Sequence, residues 1–190
     1  MIQIRKAQKQ DAPQIAELML LAMEEIAYYF IGQIDKSEAL QFLNYFISQE
    51  NNQYSYQNCY VAVKDGLVLG QLCIYHGERL QELRAPILSH LSQQYNNNLI
   101  LEDETQAGEL YIDTLAVATL AQGKGIGKIL LNYVINHYVV ERKETLGLLV
   151  EHSNPGAKKL YEDMGFKVVN TVRIFDKQMD HLQLVSKTTV

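Results

Sequence analysis

The sequence of 190 residues contains no tryptophan, three prolines and two cysteines. No apolar run reaches the roughly 18 residues that a membrane-spanning helix needs, so no membrane partner is predicted. No Pro-, Gly- or Ser-rich linker and no internal repeat interrupts the chain, and we expect one domain across residues 1–190. The first residues lack an apolar segment followed by a small-residue cleavage site, which predicts a cytoplasmic protein.

The two cysteines, Cys59 and Cys73, both fall in β-like runs. We expect buried reduced thiols, with a disulfide or redox pair as the alternative. Neither these cysteines nor the five histidines have the spacing of metal ligands, so no metal is predicted.

Acidic residues outnumber Lys and Arg, 22 against 17, and give a formal net charge of −5. Proteins whose main partner is nucleic acid usually present a positive surface, so nucleic acid is not an expected partner. The negative charge is compatible with a cationic or amine substrate.

Hydrophobic residues make up 47% of the chain, which is enough for a sizeable core. The predicted strands are residues 2–6, 59–64, 67–75, 109–118, 146–150, 166–175 and 181–186. The predicted helices begin at Asp11 and near Asp35, and then cover 79–95, 125–139 and the segment between Asn154 and Gly165. We expect Pro86 to kink or split the third helix. This order predicts a mixed α/β fold, a mixed sheet of about seven strands with helices on both faces.

Gly123, Gly125 and Gly127 occupy a turn between a predicted strand and a predicted helix. Without side chains, the backbone N–H groups of this turn can surround an anion at the positive end of the helix dipole. The spacing fits neither a Walker loop nor a Gly-x-Gly-x-x-Gly dinucleotide motif. The turn therefore predicts a phosphate or pyrophosphate site, with a purely structural turn as the alternative.

Two motifs around this turn resemble the GNAT superfamily of acetyltransferases. Gln122-x-x-Gly125-x-Gly127, preceded by Leu115-Ala-Val117, is similar to the coenzyme A signature of that family. Residues 148–166 are similar to its second block, L-x-V-x-x-x-N-x-x-A-x-x-L-Y-x-x-x-G-F, at every fixed position. The two motifs are in the order and at the spacing that the family shows.

The resemblance implies acetyl-CoA as co-substrate, held where the parallel strands 109–118 and 146–150 splay apart. It implies that the pantetheine arm pairs with the first of these strands and that the glycine turn holds the pyrophosphate. The residues expected to bind coenzyme A are Leu115, Ala116, Val117, Gln122, Gly123, Lys124, Gly125, Ile126, Gly127, Lys128, Asn154 and Tyr161. Solvated side chains are the alternative for both lysines, and helix capping alone would explain Asn154.

Acetyl transfer to an amine requires a neutral amine, donors for the thioester oxygen and a proton for the leaving thiolate. Tyr161 resembles the general acid of the family, and its phenol is protonated at neutral pH. The resemblance places a backbone donor near Leu115, at a β-bulge. Alternation puts Glu109 and Asp113 on one face of their strand. The resemblance implies that a carboxylate on this strand accepts the proton of the amine, so Asp113 is the expected base, with Glu109 or a chain of waters as alternatives.

These features predict an N-acetyltransferase that moves the acetyl group from acetyl-CoA to a primary amine of a small molecule by direct attack in a ternary complex. The alternatives are acetylation of a protein or peptide and a catalytically silent module that binds coenzyme A. Residues 28–30 and the acidic segment 102–104 are candidates for the acceptor region, with core packing and a solvated loop as the alternatives. A homodimer is a possible assembly.

Overall fold

The computed structural model describes residues 1–186, so the last four residues of the predicted domain lie outside the description. The strands are β1 (Gln3–Lys6), β2 (Cys59–Lys64), β3 (Leu67–His76), β4 (Leu110–Val117), β5 (Leu146–Glu151), β6 (Lys167–Ile174) and β7 (Lys177–Leu184). The helices are α1 (Ala12–Ile31), α2 (Lys36–Ser48), α3 (Leu80–Tyr95), α4 (Ile126–Val134) and α5 (Pro155–Asp163). The predicted order of strands and helices is confirmed.

All seven strands belong to one sheet, in the order β1-β2-β3-β4-β5-β7-β6. The β4–β5 pair is parallel, and each of the other neighbouring pairs is antiparallel. The predicted mixed sheet of about seven strands is therefore confirmed. Within residues 1–186, no helix is both long enough and apolar enough to cross a bilayer.

The parallel strands β4 and β5 separate after a short paired segment. Their register runs from Leu110 opposite Leu146 to Ile112 opposite Leu148 and then stops. β4 nevertheless continues to Val117 and β5 to Glu151. The two strands thus splay, as expected, and leave a gap in the middle of the sheet.

Buried apolar side chains form two clusters, one on each face of the sheet. The first packs the sheet against α1, α2 and α3, with Ile15, Phe42 and Leu83 among its buried members. The second packs the other face against α4 and the segment after it, with Ile126 and Leu130 fully enclosed. Helices on both faces follow from these two apolar layers. Cys59 and Cys73 are buried as free thiols in the first layer.

Some element boundaries differ from the sequence prediction. α3 continues from Leu80 to Tyr95 through Pro86, which lies on the exposed side of the helix, where the carbonyl that it leaves unpaired can meet water. α1 is instead interrupted at Met23, whose φ of −139° is not helical. The predicted helix 125–139 changes to a π-helix over Ile135–Glu141. β7 begins at Lys177 and not at residue 181, because its polar first half pairs with both β5 and β6.

Candidate active site

A cavity of about 590 Å³ opens where β4 and β5 splay. Its wall brings together residues that are far apart in the sequence and that the motifs had singled out. The predicted site residues that line it are Asp113, Leu115, Ala116, Val117, Gln122, Asn154 and Tyr161. Leu21, Ala22 and Met23, at the interruption of α1, close it on another side.

A β-bulge places Asp113 in this cavity. In the β3–β4 ladder Cys73 pairs with Thr114 and Ile74 with Ile112, so Asp113 has no partner on β3. The bulge lies two residues before Leu115, near which it was expected. Since a bulge breaks the strict alternation of a strand, Asp113 and Thr114 can both face the α1 side of the sheet.

One oxygen of the Asp113 carboxylate is held by two donors. Oδ2 accepts hydrogen bonds from Nε2 of Gln53 at 2.7 Å and from the hydroxyl of Tyr75 at 2.9 Å. Burial raises the pKa of the Asp113 carboxyl above its ordinary value, although these two hydrogen bonds and the charge of Arg84 act in the opposite direction. A raised pKa makes Asp113 a stronger proton acceptor than an exposed aspartate.

Glu104 is a second carboxylate in the wall of the cavity. It belongs to the acidic segment before β4, which sequence reasoning left undecided between an acceptor region and a solvated loop. Arg84 of α3, only 2% exposed, fixes it through Nη2 at 2.8 Å from Oε1. Burial, with repulsion by Asp113, raises the pKa of Glu104 to about 7. No local sequence pattern indicates this contact, because Arg84 and Glu104 are brought together only by the packing of the loop on α3.

Glu109, the alternative base, is directed away from the cavity. Its carboxylate accepts hydrogen bonds from His181 and Gln183 of β7 at 2.8 and 2.7 Å and from Thr105 at 2.6 Å. Burial alone would raise the pKa of Glu109, but these hydrogen bonds outweigh burial and hold it below the ordinary value. Glu109 does not line the cavity.

Tyr161 enters the cavity from α5, on the other face of the sheet. Its ring packs edge-to-face against Phe166, with centroids 6.0 Å apart. Burial raises the pKa of Tyr161 to about 12, so the phenol keeps its proton at any physiological pH. At the start of the same helix, Oδ1 of Asn154 accepts a hydrogen bond from the backbone N–H of Ala157 at 3.1 Å. Asn154 thus caps α5 and lines the cavity.

The glycine turn has the backbone that an anion site needs. Gly123 and Gly125 have positive φ values of 73° and 77°, a conformation that other residues rarely adopt. Gln122 ties the turn to the end of β4 through a hydrogen bond to the carbonyl of Val117 at 3.2 Å. In the described part of the chain, the backbone N–H groups of residues 123–128 donate to no other group. Ile126, Gly127 and Lys128 form the first turn of α4, so these free donors lie at the positive end of the helix.

The two lysines of the turn differ in their contacts. Nζ of Lys124 donates to the carbonyl of Leu120 at 2.8 Å, which gives Lys124 a local structural role. No ion pair joins Lys128 to any residue of the described chain. The free N–H groups, the open glycines and the unpaired edge of β4 beyond Ile112 fit a diphosphate joined to an extended arm. Within the same residues, no group of three or more His, Cys, Asp and Glu side chains has the geometry of a metal site.

The chain belongs to the acetyltransferase (GNAT) family, whose profile matches residues 20–166. Membership of this family implies transferase activity. A mycothiol acetyltransferase from Tsukamurella paurometabola is 37% identical over 68 residues, which are 35% of this chain and 22% of that protein. The chain therefore matches much less than two thirds of the length of that relative.

Solved structures share the whole fold. The crystal structure of an acetyltransferase is similar with a TM-score of 0.81 and 29% identity, over 97% of this chain and 100% of that chain. The structure of yncA from Salmonella typhimurium with its cofactor acetyl-CoA is similar with a TM-score of 0.57, over 100% of this chain and 96% of that chain. At 16% identity, the second likeness concerns the fold alone.

Proposed function

We propose that the chain transfers the acetyl group of acetyl-CoA to a primary amine of a small molecule, in a complex that holds both substrates at once. The observation that carries this proposal is the cavity between β4 and β5. Its wall contains Gln122 from the first coenzyme A motif, Asn154 and Tyr161 from the second, and a carboxylate with a raised pKa, while the phenol of Tyr161 keeps its proton. The Salmonella protein solved with acetyl-CoA has the same fold.

The residues that would hold acetyl-CoA are those with free backbone donors. The N–H groups of residues 123–128 would bind the diphosphate, and the unpaired edge of β4 at Leu115, Ala116 and Val117 would pair with the arm. When bound, acetyl-CoA supplies the activated acetyl group and a thiolate leaving group. Asn154 and Tyr161, from the start and the middle of α5, would flank the end of the arm.

Asp113 is the proposed general base. Its Oδ2 is fixed by Gln53 and Tyr75, so the orientation of the carboxylate is set before any substrate binds. It would take the proton from the amine and leave the neutral nitrogen that can attack. Glu109 is not proposed for this role, since its carboxylate is already saturated by donors from Thr105 and β7.

Tyr161 is the proposed general acid. It would donate its phenolic proton to the departing thiolate, which makes that group a better leaving group. Backbone N–H groups near the bulge of β4 would stabilise the negative charge that develops on the carbonyl oxygen, since the gap leaves this edge of the strand without a partner.

The walls of the cavity favour a small acceptor over a protein segment. The interrupted part of α1 covers one side with Met23 and Ile26, and the β6–β7 turn covers another with Ile174 and Phe175. A peptide held by its backbone would instead need a continuous open groove.

The test is an assay of coenzyme A release with acetyl-CoA and two panels, one of small amines and one of peptides. Transfer to small amines supports the proposal. Transfer to peptides alone would favour protein acetylation. Binding of acetyl-CoA, measured by calorimetry, without transfer to either panel would indicate a silent module.

A further inference from the structure

Two carboxylates share the inner end of the cavity, and each has one oxygen without a protein partner. Asp113 uses Oδ2 for its two hydrogen bonds, and Glu104 uses Oε1 for its bond to Arg84. No donor of residues 1–186 has hydrogen-bonding geometry to Asp113 Oδ1 or to Glu104 Oε2, and neither oxygen is fully enclosed, although the side chain of Gln53 also approaches Glu104 and acts to lower its pKa. Both oxygens are therefore available to a ligand in the space that these residues line.

The charges at this end of the cavity do not balance. Arg84 is the cation that the structure places beside Glu104, and it also donates to the carbonyl of Glu102 and to the exposed carboxylate of Asp103. Arg84 thus divides its hydrogen bonds among three residues of the loop, one of which is Glu104. Burial raises the pKa of both carboxyls, and at Glu104 repulsion by the neighbouring Asp113 adds to the effect of burial.

The attacking nitrogen cannot supply the missing positive charge. It must be neutral when it attacks, because a protonated amine has no free electron pair. A positive charge that persists through the reaction has to come from another group of the acceptor. Tyr54 and Tyr111, both largely buried, also line the cavity, and aromatic rings attract cations.

We infer that the acceptor is an aliphatic diamine or a similar alkylamine with a second cationic nitrogen, and that Glu104 is the residue that selects for this second charge. Asp113 receives the reacting amine, and the open oxygen of Glu104 binds the other ammonium group. This inference rests on the proposed function. It excludes α-amino acids as preferred acceptors, because a carboxylate beside the amine would be repelled at this end of the cavity.

Three acceptors with five carbons each test the inference: 1,5-diaminopentane, 1-aminopentane and 5-aminopentanoate, whose distal ends are cationic, uncharged and anionic. Their affinities are measured by calorimetry with the full chain in the presence of coenzyme A. The diamine should bind roughly tenfold or more tightly than 1-aminopentane, as one charge-assisted hydrogen bond predicts, and the aminopentanoate should bind most weakly. Equal affinities, or tighter binding of the anionic compound, would overturn the inference.

Substitution of Glu104 tests whether this residue causes the preference for the diamine over 1-aminopentane. In Glu104→Gln the advantage of the diamine over 1-aminopentane should disappear, while in Glu102→Gln, a change at an exposed position of the same loop, it should remain. Thermal unfolding checks that both variants are folded, and the comparison of the three ligands in the unchanged protein does not depend on either. A preference that survives in Glu104→Gln removes Glu104 as the selecting residue.

Coenzyme A release with the same three amines separates this inference from the proposed function. Transfer to 1-aminopentane as efficient as transfer to the diamine would overturn the inference and leave the proposed function standing. Selective binding of the diamine without transfer of the acetyl group would support the preference for a second cationic nitrogen and overturn the proposed function.

Discussion

Asp113 and Tyr161 reach one cavity from opposite faces of the sheet. Asp113 bonds to Tyr75 in the layer that contains α1, whereas Tyr161 packs against the layer that contains α4. The gap between β4 and β5 beyond Ile112 joins the two faces. This geometry would let a base and an acid act on two sides of one reacting group without exchanging a proton directly.

The first prediction concerns Tyr161. Tyr161→Phe removes the phenolic proton but keeps the ring that packs against Phe166. We expect kcat to fall about 10²–10⁴-fold, because a positioned acid contributes that much, with little change in the Kd of acetyl-CoA. Tyr45→Phe, on an exposed position of α2, is the control and should leave both values unchanged. An unaltered kcat in Tyr161→Phe would remove Tyr161 from the mechanism.

The second prediction is the pH dependence of the reaction. The base must be deprotonated, so kcat/KM should fall as the pH drops through the raised pKa of Asp113. Tyr161, with its pKa near 12, should keep the profile flat on the alkaline side up to about pH 10. Asp113→Asn should lower kcat/KM at neutral pH by a factor on the order of 10² and abolish the acid limb. An acid limb unchanged in Asp113→Asn would assign it to another group.

Much of the scaffold around these residues could be predicted from the sequence. The strand alternation and the helix periodicity are local signals, and the motif residues Gln122, Asn154 and Tyr161 converge because the sheet order brings β4 and β5 together. Asp113 was selected by strand alternation together with the resemblance to the family, in which a carboxylate on this strand acts as the base. The β-bulge that directs Asp113 into the cavity is a shift in the register between β3 and β4. Such a shift depends on both strands and cannot be recognised from the sequence of β4 alone.

What could not be predicted depends on long-range contacts. Glu104 is fixed by Arg84, 20 residues earlier in the chain, and Glu109 is turned away by His181, 72 residues later. Neither contact follows from a local pattern. Pro86 was expected to break α3, but Leu83 and Ile87 on either side of it are buried and hold the two halves in line. Packing of the apolar face therefore outweighed the local preference.

The third prediction tests the glycine turn. Gly125 has a φ of 77°, and a Cβ built there would meet no protein atom within 4 Å. Gly125→Ala should lower the free energy of unfolding by roughly 1–2 kcal/mol through backbone strain. It should also weaken acetyl-CoA binding, since the strained turn no longer presents its N–H groups correctly.

Gly66→Ala is the matched control for this change. Gly66, in the β2–β3 turn, has a φ of 80° and equally open surroundings, so it should lose similar stability and keep its affinity for acetyl-CoA. Calorimetry and urea denaturation of the two variants give both quantities. The same affinity in both variants would mean that the turn does not bind the diphosphate.

The fourth prediction concerns Gly147 of β5. A Cβ at this position would collide with the carboxylate of Glu109, which lies against the bare backbone. Gly147→Ala should therefore destabilise the fold by about 1–3 kcal/mol in urea denaturation, the usual cost of overpacking. Gly156→Ala, at a helical position with free space, should have no such cost. If Gly147→Ala is as stable as the parent protein, Glu109 does not occupy the position described.

The last prediction is a loss of stability in acid that depends on Asp180. This carboxylate, 5% exposed, accepts hydrogen bonds from Lys158 of α5 at 2.7 Å, His152 at 2.9 Å and Thr171 at 3.0 Å. It therefore links β7 to the helix that carries Tyr161. The hydrogen bonds from Lys158 and His152 lower the pKa of Asp180 from 3.8 to about 2.

A carboxyl whose pKa is lower in the folded state stabilises the fold above its unfolded value, and this contribution disappears as the pH falls through the folded value. Asp180→Asn should thus be less stable than the parent protein at neutral pH, and the difference should shrink between pH 3.8 and about pH 2. Asp176→Asn, whose side chain is 94% exposed, should show no such convergence. Urea denaturation across this pH range measures the difference, and a constant gap down to pH 2 would mean that the charge of Asp180 does not hold α5 in place.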